Sequence, residues 1–221
     1  MGANTGKQEQ ERFVALWQRT LDHDPRRAEV AYAELVQRYR EPHRHYHTLT
    51  HIRHCLRQFD QAVDLMDHPD AVEIALWFHD AIYVPGAVDN ERRSADLFRE
   101  WSAATDAATD FQESVSDLVV ATTHRTPPLW RDGQFMVDID LSSFGLPWED
   151  CKQDGRRIRA ECAHLTDDQY YPGHLRFLLT LQNRPAFFFT DFFQQRYGPA
   201  AHDNINRIVA NLATLGYCDC P

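Results

Sequence analysis

The chain has 221 residues, 43% of them hydrophobic, and a formal net charge of -10. That length suits one compact domain with a substantial core, and the composition excludes wholesale disorder. The negative charge argues against stable nucleic-acid binding or attachment to anionic membranes, while leaving room for a small phosphorylated substrate held by a bound cation.

The cysteines are Cys55, Cys151, Cys162, Cys218 and Cys220, an odd number without a CxxC pair. A disulfide framework or zinc ribbon is therefore not expected, and a reducing compartment is. Cys218 and Cys220 read as surface thiols. The N-terminal MGANTGKQEQ has no apolar signal core, and no apolar run reaches the ~18 residues of a membrane span. A cytoplasmic protein without a membrane partner is the expectation.

Apolar residues recur at helical spacing along the chain. Phe13, Leu16, Trp17 and Leu21 mark a first helix, and Tyr32, Leu35, Val36 and Tyr39 a second that Pro42 ends. Thr48 can cap a third helix carrying Ile52, Cys55, Phe59, Val63 and Met66, broken at His68-Pro69. A fourth, apolar on several sides, should run from Asp70 to Tyr83 and lie at the centre. Pro85-Gly86 is a loop, and Asp89 or Asn90 can cap a fifth helix through Trp101. Phe111, Val115, Leu118 and Val119 mark a sixth. His124 to Gln134, with two prolines and a glycine, reads as loop; the following FMVDIDLSSFG admits a strand on composition. Trp148 to Leu165, Leu175 to Leu181, and Ala200 to Leu215 ended by Gly216 complete the helices. The aromatic run Phe187, Phe188, Phe189, Phe192 and Phe193 reads as core packing. No repeat or long linker is present, so one all-α domain is expected.

Twelve histidines are present, and their placement carries the chemistry. His47 and His51 are four apart; with a helix starting near Thr48, His51 projects from its first turn and His47 lies just before it, so both imidazoles can face one space. The second element is His79-Asp80 in LWFHDAIY. Neighbouring helical residues diverge by about 100°, and a charged aspartate among so many apolar residues is costly unless paired or ligating. The third is MVDIDLSSFG, where one of Asp138 and Asp140 can face inward. Two imidazoles and two carboxylates suit Mn, Fe, Co, Ni or Zn better than Mg. His45, His54, His68 and His202 read as ordinary exposed or hydrogen-bonded side chains.

The order His, then His-Asp 28 residues on, then Asp 60 residues further, on a helical chain, resembles the HD-domain superfamily of metal-dependent phosphohydrolases. YHTLTHI at 46–52, WFHDAIY at 77–83, DNE at 89–91 with Ser94-Ala95, and DIDL at 138–141 are similar to a bacterial branch of that superfamily. The YHxxxH opening also resembles cyclic-nucleotide phosphodiesterases. The resemblance implies a single HD-type helical bundle over residues 9–217, flanked by a disordered tail at 1–8 and a short tail at 218–221. It implies His51, His79, Asp80 and Asp140 as ligands of a single metal and His47 as proton donor. Glu91 is a candidate to orient the attacking water, and His124, Arg125 and Arg159 are candidates for a second metal or for phosphate contact, with Arg156 a further candidate cation. The implied activity is cleavage of a phosphoester or phosphoanhydride of a small molecule, with nucleotides foremost. The alternatives are a di-iron oxygenase on the same fold and a non-catalytic metal- or nucleotide-binding module.

Overall fold

The computed structural model describes residues 2–218, with side chains described from residue 6. Cys220 lies outside the described residues, as does most of the 218–221 tail; Cys218 is an exposed free thiol. Among the described residues there are ten α-helices, two 3-10 turns and no strand, so the fold is all-α as the periodicity predicts. None of these helices is long and apolar enough to cross a membrane. The chain forms two compact units, residues 1–136 and 137–221, where one domain over 9–217 was expected.

The first unit holds α1 (Gly2–Thr20), α2 (Pro25–Arg38), α3 (Leu49–Ala62), α4 (Pro69–Phe78), α5 (Asn90–Ser102), α6 (Thr109–Ala121) and the start of α7 (Arg131–Leu141). α1 begins earlier than the pattern of its apolar residues indicates, and takes in residues 2–8. α4 packs against α1, α3, α5 and α6. Every residue from Ala71 to Phe78 is buried, which explains a helix apolar all round. Phe13, Tyr32 and Trp77 meet with centroids 5.5 to 5.9 Å apart and form the aromatic centre of this core. The one carboxylate in the buried stretch, Glu73, accepts from Arg12 Nε at 2.6 Å, so its charge is paired.

α4 ends at Phe78, five residues before the expected end at Tyr83. α7 is a helix where composition admitted a strand: Phe135, Met136, Val137 and Ile139 are buried, a spacing that a short apolar run does not distinguish from a strand. It also begins inside the stretch expected as loop. Asp132 in its first turn accepts from the backbone of Asp67 (2.8 Å) and His68 (2.9 Å), anchoring the entry to α4.

The second unit holds the rest of α7, a 3-10 turn at Ser142–Gly145, α8 (Trp148–Glu161), α9 (Asp167–Gln182) and α10 (Asp191–Thr214). α9 and α10 start earlier than their apolar patterns suggest, because polar caps set the starts. Gln169 Oε1 accepts from the Thr166 N–H (2.9 Å), and Thr190 caps α10. The aromatic run is core as expected, with Phe187, Phe188 and Phe193 buried. α10 lies close over the 3-10 turn: a Cβ on Gly145 would stand 2.5 Å from Tyr197 Cβ, so only glycine fits. Gly216, with φ +91°, follows the helix end.

His174 on α9 stacks on Tyr170 (centroids 5.2 Å, 22°), and burial lowers its pKa from 6.5 to about 4. A depressed histidine pKa means the folded state binds the proton less well than the unfolded chain does. Its contribution is intact above pH 6.5 and is lost as pH falls toward about 4. His174→Gln should remove up to about 3 kcal/mol of acid destabilisation. Thermal midpoints at pH 7 and pH 4.5 check this: the variant should lose less than the parent, and equal losses would contradict it.

Candidate metal centre

The site in the first unit is built where α3 begins and α4 ends. Thr48 has extended backbone and its hydroxyl accepts from the Thr50 N–H (3.2 Å), which fixes the start of α3 as predicted. His51 follows in the first turn, its side chain 2% exposed. One turn later on the same face stands the buried Cys55, its Sγ 3.6 Å from His51 Nε2.

α4 ends with His79 as its C-cap, and the chain turns at Asp80. This early end brings the two neighbours together: a continuing helix would splay them, whereas here Asp80 Oδ2 lies 3.1 Å from His79 Nε2 and 3.6 Å from His51 Nε2. His79 Nδ1 is 3.0 Å from Leu76 O, which accepts only, so Nδ1 donates there and Nε2 faces Asp80 and His51. His51 Nε2 and His79 Nε2 are 3.3 Å apart. The donor atoms of His51, Cys55 and His79 all lie within 4.8 Å of one another. Burial pushes the Asp80 carboxyl up, but the imidazoles of His79, His47 and His51 outweigh it and hold the group below the usual carboxylate range. The buried His51, Cys55 and His79 thus offer donor atoms that can hold a metal ion, with the Asp80 carboxylate beside the two imidazoles.

A helix ending in the core leaves carbonyls that need donors. Tyr39 donates to Trp77 O (2.9 Å), and Arg44 donates to Asp80 O (2.6 Å), Ala81 O (2.9 Å) and His47 O (3.2 Å). The Arg44 side chain is fully buried, with Glu41 as its counter-charge at 2.9 Å. One guanidinium thus ties the segment before α3 to the turn after α4 and sets the distance between His47 and Asp80. Sequence reading missed Arg44 because an arginine in EPHRHYH resembles any surface cation; the nearby Glu41 was the available signal. Beyond the turn, Asn90 accepts from Val84 N (2.9 Å) and donates to Val84 O (3.1 Å), while Ser94 accepts from Ile82 N (3.0 Å). Asn90 and Ser94 therefore hold the 82–84 segment, which places Tyr83.

His47 stacks on Tyr83 (centroids 4.0 Å, 27°) and stands 6.1 Å from His51 between ring centres. Glu91 is half-buried in the first turn of α5. His124 follows α6 with φ +55° and is half-buried; Arg125 donates to Val88 O at 2.9 Å. In the second unit, Arg159 is engaged by Asp167 (2.8 Å), Cys162 O (2.8 Å) and Leu165 O (2.8 Å), and Arg156 is exposed.

The two aspartates of α7 have different surroundings. Asp138 is fully buried and accepts from Phe189 N (2.8 Å), Thr190 N (2.7 Å) and Thr190 Oγ1 (2.7 Å). Burial raises its carboxyl to about 6 against the pull of these donors. Asp140 is half-buried in the last turn of the helix. Asp138→Asn should leave metal affinity nearly unchanged and lower stability by about 1–3 kcal/mol, because an amide cannot accept from all three donors. Metal titration and denaturant melts of the variant check this, and a severe loss of metal affinity would contradict it.

No protein-family model, curated protein or solved structure matches the chain. The HD-type likeness therefore rests on the residues themselves.

Proposed function

We propose that the chain is a metal-dependent phosphohydrolase acting on a small phosphorylated molecule, with nucleotides as the first class to test. The observation that carries this reading is the convergence of His51, His79 and Asp80, with His79 Nδ1 held on Leu76 O and Nε2 turned toward the other two. Asp140 is the further ligand on the family likeness. A divalent ion, when bound, supplies an activated water and polarises a phosphoryl oxygen.

The chain's own groups do the rest. Asp80 contributes negative charge against the cation, and its low pKa keeps it ionised at neutral pH. Leu76 O orients His79, and Arg44 holds the backbone of His47 and Asp80 in register. His47, resting on Tyr83, holds a proton for the leaving oxygen. Glu91 is the candidate to orient the nucleophilic water. The experiment is to load the purified chain with Mn, Co, Ni, Zn or Mg and assay a panel of nucleotides and phosphoesters. Metal-dependent phosphate release that His51→Ala abolishes is the expected outcome. A metal-loaded chain inert on the whole panel would point to the non-catalytic binding module instead.

A further inference from the structure

We propose that Cys55 is itself a metal ligand, so that the centre is a mixed nitrogen, sulfur and oxygen site tuned to Zn, Co or Fe rather than Mn or Mg. This rests on the metal-centre reading above and specifies which ion it takes. The first argument is placement. His51 and Cys55 are one turn apart on α3, so a rigid helix presents both donors to one point, across from His79.

The second is spacing. For an ion with metal–nitrogen bonds of ~2.0 Å and a metal–sulfur bond of ~2.3 Å meeting at about 90–110°, geometry requires about 2.8–3.3 Å between two nitrogens and about 3.0–3.5 Å between nitrogen and sulfur, and more than four donors can share the ion. The observed separations are 3.3 Å for His51 Nε2 to His79 Nε2, and 3.6 and 3.9 Å for Cys55 Sγ to the Nε2 and Nδ1 of His51, so ion binding must turn the His51 ring until Nε2 and Sγ aim at one point. Asp80 Oδ2, at 3.1 and 3.6 Å from the two nitrogens, falls in the same range.

A cysteine serving only as a small apolar filler needs none of these distances. On binding, the sulfur–metal bond replaces the S–H bond and the proton leaves to solvent, so the site gains a soft anion. Soft thiolate favours zinc, cobalt and iron, and disfavours magnesium and manganese.

The test is cobalt substitution in a Cys218→Ser, Cys220→Ser background, which removes the tail thiols as competing ligands. The cobalt-loaded protein should show an intense thiolate-to-cobalt charge-transfer band in the near ultraviolet. Cys55→Ser should keep the cobalt through His51, His79 and Asp80 but lose that band, with zinc affinity down about 10–100-fold and manganese affinity little changed. X-ray absorption of the zinc-loaded background protein, which needs no change at Cys55, should show one sulfur at ~2.3 Å. A cobalt protein without the band, a band that survives Cys55→Ser, or a zinc shell of nitrogen and oxygen only would overturn Cys55 as ligand and leave the metal centre standing. Failure of the background protein to bind cobalt or zinc at all would overturn the centre with it.

Discussion

Replacing either His79 or Asp80 with alanine should abolish metal retention and, with it, the proposed hydrolysis. His79 is 1% exposed at its side chain, and its Nε2 lies 3.3 Å from that of His51 and 3.1 Å from Asp80 Oδ2. The end of α4 is stitched by Tyr39 and Arg44, so the backbone at this position stays in place when the side chain is removed. Removing Asp80 withdraws negative charge from beside two imidazoles, and a cation held there loses its nearest counter-charge. Affinity should fall by more than about 100-fold, beyond the range seen when only an outer partner is lost. Asp80→Asn, of equal size, should fail in the same way, which separates lost charge from lost packing. Equilibrium dialysis with cobalt or zinc measures this directly. Stoichiometric binding by Asp80→Ala would show that the ion is held elsewhere.

The second large effect divides His47 from His51. His51 lies within α3, nearly without exposure and bracketed by Cys55 and His79. His47 precedes the cap at Thr48, and its ring rests on Tyr83. His51→Ala should therefore lose metal and all hydrolysis. His47→Ala should keep its metal and lose about 10²–10⁴-fold in turnover, the range for a positioned acid or base. A nitrophenyl ester, whose leaving group needs little protonation, should be cleaved almost as well by His47→Ala as by the parent. Metal loss in His47→Ala with retention in His51→Ala would exchange the two roles.

The helical class was legible in the sequence because 3.6-residue periodicity runs through nearly every segment. The start of α3 was legible because Thr48 is a good cap. The convergence of His79 and Asp80 was only half legible. Their apolar surroundings announced a buried polar pair, but periodicity carried the helix to Tyr83, and a continuous helix would have pointed the two side chains apart. What ends α4 early is tertiary: Tyr39 and Arg44 donate to the carbonyls that a longer helix would have satisfied itself.

Cys55 was hidden by the same periodicity that revealed α3. It occupies an apolar position of the helix face, where cysteine serves equally as a small hydrophobe, and only its distance from His51 distinguishes the two roles. In the sequence, only the HD-type resemblance separated Asp140 from Asp138; the structure adds that the backbone of Phe189 and Thr190 donates to Asp138. Such contacts over some fifty residues leave no local trace in sequence.

The most direct test of the central claim is the metal content of the purified chain, measured by mass spectrometry of the digested protein after exhaustive metal-free dialysis, beside His79→Ala handled identically. The account predicts about one divalent ion per parent chain and essentially none in the variant. A parent chain without bound metal, also unable to take up zinc or cobalt when they are supplied, or a variant that retains as much as the parent, would contradict it.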